Sequence, residues 1–267
     1  MINMRYLYEN SPERYAQDVV YSMNLTPPVD IYSVCNYYDI KVYYEDINAA
    51  EAYLIVAFGK KSIIINTRRI QYIPRQRFTI AHEIGHFFIP WHKSQCVCDK
   101  IGNFDPLNSV ENEADIFASE LLIPIASILP RIEGRTVTLD LIKELAQEYN
   151  VSLTAMAKKV IDNTDEKVIA LIYYNDGAKY PLAISRTFDF NLKPGIIKTS
   201  AAKDLLLNRY RNEFIKRILR FDVWFHQSDN NDFEIVEESL YQPYLNRVFT
   251  ILRTANDFDY FDAFLDR

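Results

Sequence analysis

A chain of 267 residues is long enough for two domains, and its 49% hydrophobic and 25% charged residues exclude a disordered or collagen-like polypeptide. Lys and Arg total 30 against 36 Asp and Glu, and the net charge of −6 disfavours any grip on nucleic acid through bulk charge. Apolar runs such as 54–58 fall far short of the ~20 residues that span a bilayer, no secretory leader is visible, and the 3 cysteines are too few for a disulfide framework, so a cytoplasmic protein is expected.

Apolar spacing predicts a helix over 11–24, stopped by Thr26-Pro27-Pro28, and a short helix from Asp30 or Val29 to about Tyr38. Strands follow at 41–44, 52–58 and 62–66, the last two split by Gly59-Lys60-Lys61 as a hairpin. Their unbroken apolar stretches imply burial on both faces or a central position in a sheet. A helix starting near Pro74 runs through 78–88 to Pro90, and another covers 110–122 before Pro124. Two short amphipathic helices at 138–150 and 152–163 flank Asn150-Val151-Ser152. Strands at 167–174 and 180–186 are joined by Asn175-Asp176-Gly177, a strong hairpin turn. A long helix over 201–220 and strands at 221–226 and 233–240 complete the reading. The expected class is α+β. Three segments are expected: 1–125, a helical segment 126–165, and a mixed α/β region 166–267.

The chemistry sits in the helix over 78–88, which contains His82-Glu83-Ile84-Gly85-His86. Positions i and i+4 project from one helix face, so His82 and His86 can ligate one metal ion. Glu83 stands beside them, able to take a proton from an attacking water. At average residue frequencies this pattern arises by chance in roughly one such chain in a hundred. A second acidic element strengthens it. Glu111-Asn112-Glu113-Ala114-Asp115 opens the helix downstream and can deliver a carboxylate. Two His, one Glu and an open position make a catalytic rather than a structural zinc site. With Glu111 at 0° and 100° per residue, Ala114, Phe117, Ala118, Leu121 and Leu122 form a stripe centred near about 300°. Glu111 lies about 60° from that stripe and Glu113 about 100°, which favours Glu111 as third ligand and leaves Glu113 as the alternate. Asp115 shares the Glu111 face and can accept from the far nitrogen of a ligand histidine.

The run from Phe78 to Phe88, followed by the run from Glu111 through Phe117, Ala118 and Leu122 to Pro124, resembles the ImmA/IrrE family of metallopeptidases. The segment Pro28-Val29-Asp30 and the hairpin before the helix are similar as well. The Glu111-to-Asp115 spacing resembles the Glu-x-x-x-Asp of thermolysin-like zincins. The resemblance implies a zincin-like peptidase domain over 1–125, a catalytic divalent metal (zinc, or alternatively manganese) and a protein substrate, namely a repressor with a helix-turn-helix domain. Cleaving it would derepress a mobile element or a stress response. Related members carry a GAF-like sensor domain where residues 166–267 stand.

His92, Cys96 and Cys98 between the two motifs depart from the family pattern; Cys96-Val97-Cys98 near His92 could hold a second metal, act as a redox trigger on the loop, or be ordinary loop cysteines. The helix pair 138–163 has the length of a helix-turn-helix. However, Lys143, Lys158 and Lys159 face Asp140, Glu144, Glu148 and Asp162, so it reads as packing or partner docking, not operator binding. Two rivals stand beside the peptidase: a non-catalytic, metal-bound antirepressor, for which Glu83 would be superfluous, and a DNA-binding regulator, which the acidic composition opposes. Neither direct contact with nucleic acid nor a membrane is expected.

Overall fold

In the computed structural model, residues 11–47, 50–95, 109–175, 177–195, 197–208, 214–226, 233–256 and 259 are described. The chain divides into two compact units, Met1–Pro130 with Leu145–Ala155, and Arg131–Glu144 with Met156–Arg267. Among the described residues no helix is long and apolar enough to cross a membrane.

In the first unit, α1 (Pro12–Ser22) begins on a proline, which needs no amide partner there, and buries Tyr15, Ala16, Val19 and Val20 along one stripe. The carboxylate of Asp30 caps α2 (Ile31–Tyr37) by accepting from the amides of Tyr32 and Ser33. Strands β1 (Ile40–Glu45), β2 (Ala52–Ala57) and β3 (Lys60–Asn66) form a sheet ordered β1-β3-β2, with β1 parallel and β2 antiparallel to β3. Central β3 buries Ile63, Ile65 and Asn66, as its apolar run predicts. β2 does not share that burial. It is an edge strand, and Ile55, Val56 and the turn residue Phe58 are exposed. The turn is the two-residue Phe58-Gly59, both with positive φ (51° and 75°), a conformation that matches the twist of a hairpin.

Two crossing helices hold the candidate site. α3 (Ile73–Phe88) buries Ile80, Ala81, Ile84 and Phe88, and α4 (Ser109–Leu122) buries the stripe Ala114, Phe117, Ala118, Leu121 and Leu122. They approach closely at Gly85, where a Cβ would stand 3.2 Å from atoms of Phe117. Phe117 is fully buried and stacked on Phe88 at 11°, so it has little room to yield. Gly85→Leu should therefore overpack this crossing and destabilise by about 1–3 kcal/mol. Thermal unfolding checks this, and an unchanged Tm would contradict it.

Arg77 of α3 donates to the carbonyls of Val29 (2.8 Å) and Asn150 (3.1 Å). Glu120 of α4 accepts from Gln17 of α1 and from the amide of Ile125, both at 3.0 Å. That second bond caps α5 (Ile125–Ile132), a helix the sequence reading left out because Pro124 looked like a stop. The two amphipathic helices are α6 (Leu139–Tyr149) and α7 (Leu153–Asp162), and each runs from one unit into the other.

The second unit carries an antiparallel five-stranded sheet of β4 (Val168–Tyr174), β5 (Lys179–Ile184), β6 (Phe214–Arg220), β7 (Glu234–Gln242) and β8 (Arg247–Thr254), ordered β5-β4-β8-β7-β6. Three expectations are corrected here. The helix over 201–220 is only α8 (Ala201–Leu207), and Phe214–Arg220 is strand β6, because its backbone completes the ladder along β7. Residues 221–226 are not a strand but one helical turn, α9 (Phe221–Trp224), followed by a single bridge from Phe225 to Leu192. Strand β8 went unread, although it lies between β4 and β7 and is buried along most of its length.

Two buried glutamates on β7 cap backbone amides. Glu237 accepts from Ala202 at the start of α8, and Glu238 accepts from Leu139 at the start of α6. Burial raises the pKa of both carboxyls, and those amide bonds offset only part of the rise.

Candidate metal centre

α3 projects His82 and His86 from one face, one turn apart, both buried. Their Nε2 atoms are 3.1 Å apart. Across the crossing, α4 brings in Glu111, whose Oε2 lies 3.1 Å from His82 Nε2 and whose Oε1 lies 3.7 Å from His86 Nε2. One ligand atom from each of the three falls within 4.8 Å of the others. Donors bound tetrahedrally at zinc distances would stand roughly 3.4 Å apart. Two imidazoles and a carboxylate also match the donor types zinc takes in catalytic sites, so these residues fit that ion.

Asp115 Oδ1 accepts from His82 Nδ1 at 2.7 Å, leaving Nε2 as the ring's lone-pair donor. Burial opposes a charge on His82, but the bonds to Asp115 and Glu111, with the nearby charge of Glu83, outweigh it and lift the pKa to about 9. Glu83 itself is buried on α3 next to His82.

The structure brings His82, His86 and Glu111 together, with Asp115 behind His82. Glu113 points elsewhere: its Oε2 accepts from the indole of Trp91 and from His92 Nε2 at 2.9 Å. His92 lies in a 3-10 turn (Pro90–Gln95), is 1% exposed, and sets its Nδ1 3.0 Å from His86 Nδ1. Burial keeps its pKa below the ordinary imidazole value, against the pull of Glu113. Sequence reading grouped His92 with Cys96 and Cys98, which lie outside the described residues. It missed the contact with His86, whose signal was a histidine just beyond the proline that stops α3, close enough to fold back on the last turn.

A buried His-Glu-x-x-His helix facing a carboxylate from a second helix is the frame on which zinc-dependent peptidases are built. Residues 35–160 match the model of the peptidase M78 family, the IrrE N-terminal-like domain. The chain is 27% identical to metallopeptidase ImmA of Bacillus subtilis over an alignment covering 39% of this chain and 62% of that protein. It thus spans a little under two thirds of that relative. Among solved structures it resembles a Mycobacterium tuberculosis transcriptional regulator, with a TM-score of 0.57 over 94% of this chain and 90% of that one. At 12% identity that likeness concerns the fold alone.

Proposed function

We propose that this chain is a cytoplasmic zinc-dependent endopeptidase that cleaves a helix-turn-helix transcriptional repressor. The observation that carries the reading is a buried glutamate, Glu83, adjoining a His82–His86–Glu111 group of ligand geometry. His82, His86 and Glu111 would hold the ion, zinc or alternatively manganese. When bound, it supplies Lewis acidity at the scissile carbonyl and makes water acidic enough to attack near neutral pH. Glu83 takes the proton of the attacking water and delivers it to the leaving amine. Asp115 keeps the His82 ring in the ligating tautomer. β2 offers an open strand edge with exposed Ile55 and Val56, on which an extended substrate segment can add as another strand.

The repressor assignment rests on the family, whose curated relative is named a metallopeptidase. For the second unit we propose a GAF-like sensor role, with which its five-stranded antiparallel sheet is compatible. The test is direct. The zinc-loaded chain is incubated with any helix-turn-helix protein found encoded beside its gene, and the products are read by mass spectrometry. One peptide bond is expected to be cut, with a chelator blocking the cut. A tight complex left uncut under all conditions would favour the antirepressor reading instead.

A further inference from the structure

We propose that His92 and Glu113 form a relay that positions His86, the counterpart across the site of what Asp115 does for His82. The inference rests on the proposed metal centre and extends it to two residues outside the ligand set.

Proton counting leads there. Two imidazole nitrogens, His86 Nδ1 and His92 Nδ1, face each other at 3.0 Å, so one must donate and the other accept. His86 presents Nε2 to His82 and Glu111, where the proposed metal would sit, and with Nε2 given to the metal its proton sits on Nδ1 and is donated to His92. The remaining proton of a neutral His92 is then on Nε2. That atom faces Glu113 Oε2 at 2.9 Å, and an ionised carboxylate can only accept. Every link is satisfied with both rings neutral, and the opposite tautomers would leave a donor facing a donor or a lone pair facing a carboxylate. Trp91 Nε1 donates to the same Glu113 oxygen and fixes the end of the chain.

The helix geometry explains why an intermediary is needed. Glu111 and Asp115 are four residues apart on one face of α4 and reach His82 directly. Glu113 is turned about 200° from Glu111, and it reaches His86 only through an imidazole. His92 is 1% exposed, so a lost partner there is not replaced by water. The relay fixes the ring rotation and tautomer of His86. Outer-shell partners of metal-bound histidine typically contribute about 10–100-fold in metal affinity.

The full chain is titrated with Zn2+ against a chromophoric chelator. His92→Phe should bind zinc about 10–100-fold more weakly. His92→Asn should recover part of that loss, because its Oδ1 can accept where Nδ1 did, while the bond from Nε2 to Glu113 is given up. In zinc-loaded wild type, long-range 1H–15N spectra of the histidines should show His92 protonated on Nε2; this reading holds even if a variant fails to fold. Wild-type affinity in His92→Phe, no recovery in His92→Asn, or His92 protonated on Nδ1 would each overturn the relay. His86→Ala separates the two levels. If it loses zinc while His92→Phe does not, only the relay fails; if it keeps zinc, the metal centre fails and the relay with it.

Discussion

Glu83→Gln is expected to bind a full equivalent of zinc and to cleave its substrate about 10²–10⁴-fold more slowly, the range that a positioned general base contributes. Gln has nearly the shape of Glu, so the buried slot on α3 stays filled. The ligand triad His82–His86–Glu111 does not include Glu83, so metal content should not move. What disappears is a basic oxygen, since an amide cannot accept the proton of the attacking water. Single-turnover cleavage beside zinc content measures both halves. Cleavage at the wild-type rate would remove Glu83 from its proposed role.

Glu111→Ala carries the second large effect. Glu111 reaches both ring nitrogens that would ligate the metal, at 3.1 and 3.7 Å. Removing it leaves two imidazoles, and the loss of zinc affinity should exceed the ~10–100-fold of an outer-shell change. Glu113→Ala removes the acceptor of His92 and Trp91 and should stay within that outer-shell range. Competition with a chelator compares the two. Glu113→Ala losing zinc while Glu111→Ala keeps it would reverse the ligand order.

Much of this geometry is legible in the residues because it follows from helix periodicity. The i, i+4 spacing puts His82 and His86 on one face, and the five apolar residues of α4 fix which way Glu111 turns. Asp115 follows from the same rotation. The His92–Glu113 contact depends on how the chain folds back after Pro90, a tertiary fact with no local period.

The second unit was less legible for the same reason. Ile215, Ile218 and Leu219 suit a helical stripe as well as a strand, and only pairing with β7 decides for the strand. Glu237 and Glu238 carry no local signal of burial, yet both are buried as caps for Ala202 and Leu139, helix starts far away in the sequence. Phe58 and Val56 look like core residues but stand exposed on an edge strand, where the proposed substrate would lie.

Zinc K-edge X-ray absorption on the loaded full chain tests the central claim most directly, because nitrogen and oxygen ligands are separable from sulfur by distance. Ligation by His82, His86 and Glu111 should give a shell of light scatterers at about 2.0–2.2 Å, with imidazole multiple scattering and no sulfur. A sulfur shell near ~2.3 Å would contradict it, moving the ion onto cysteine thiolate and away from the helix that carries Glu83.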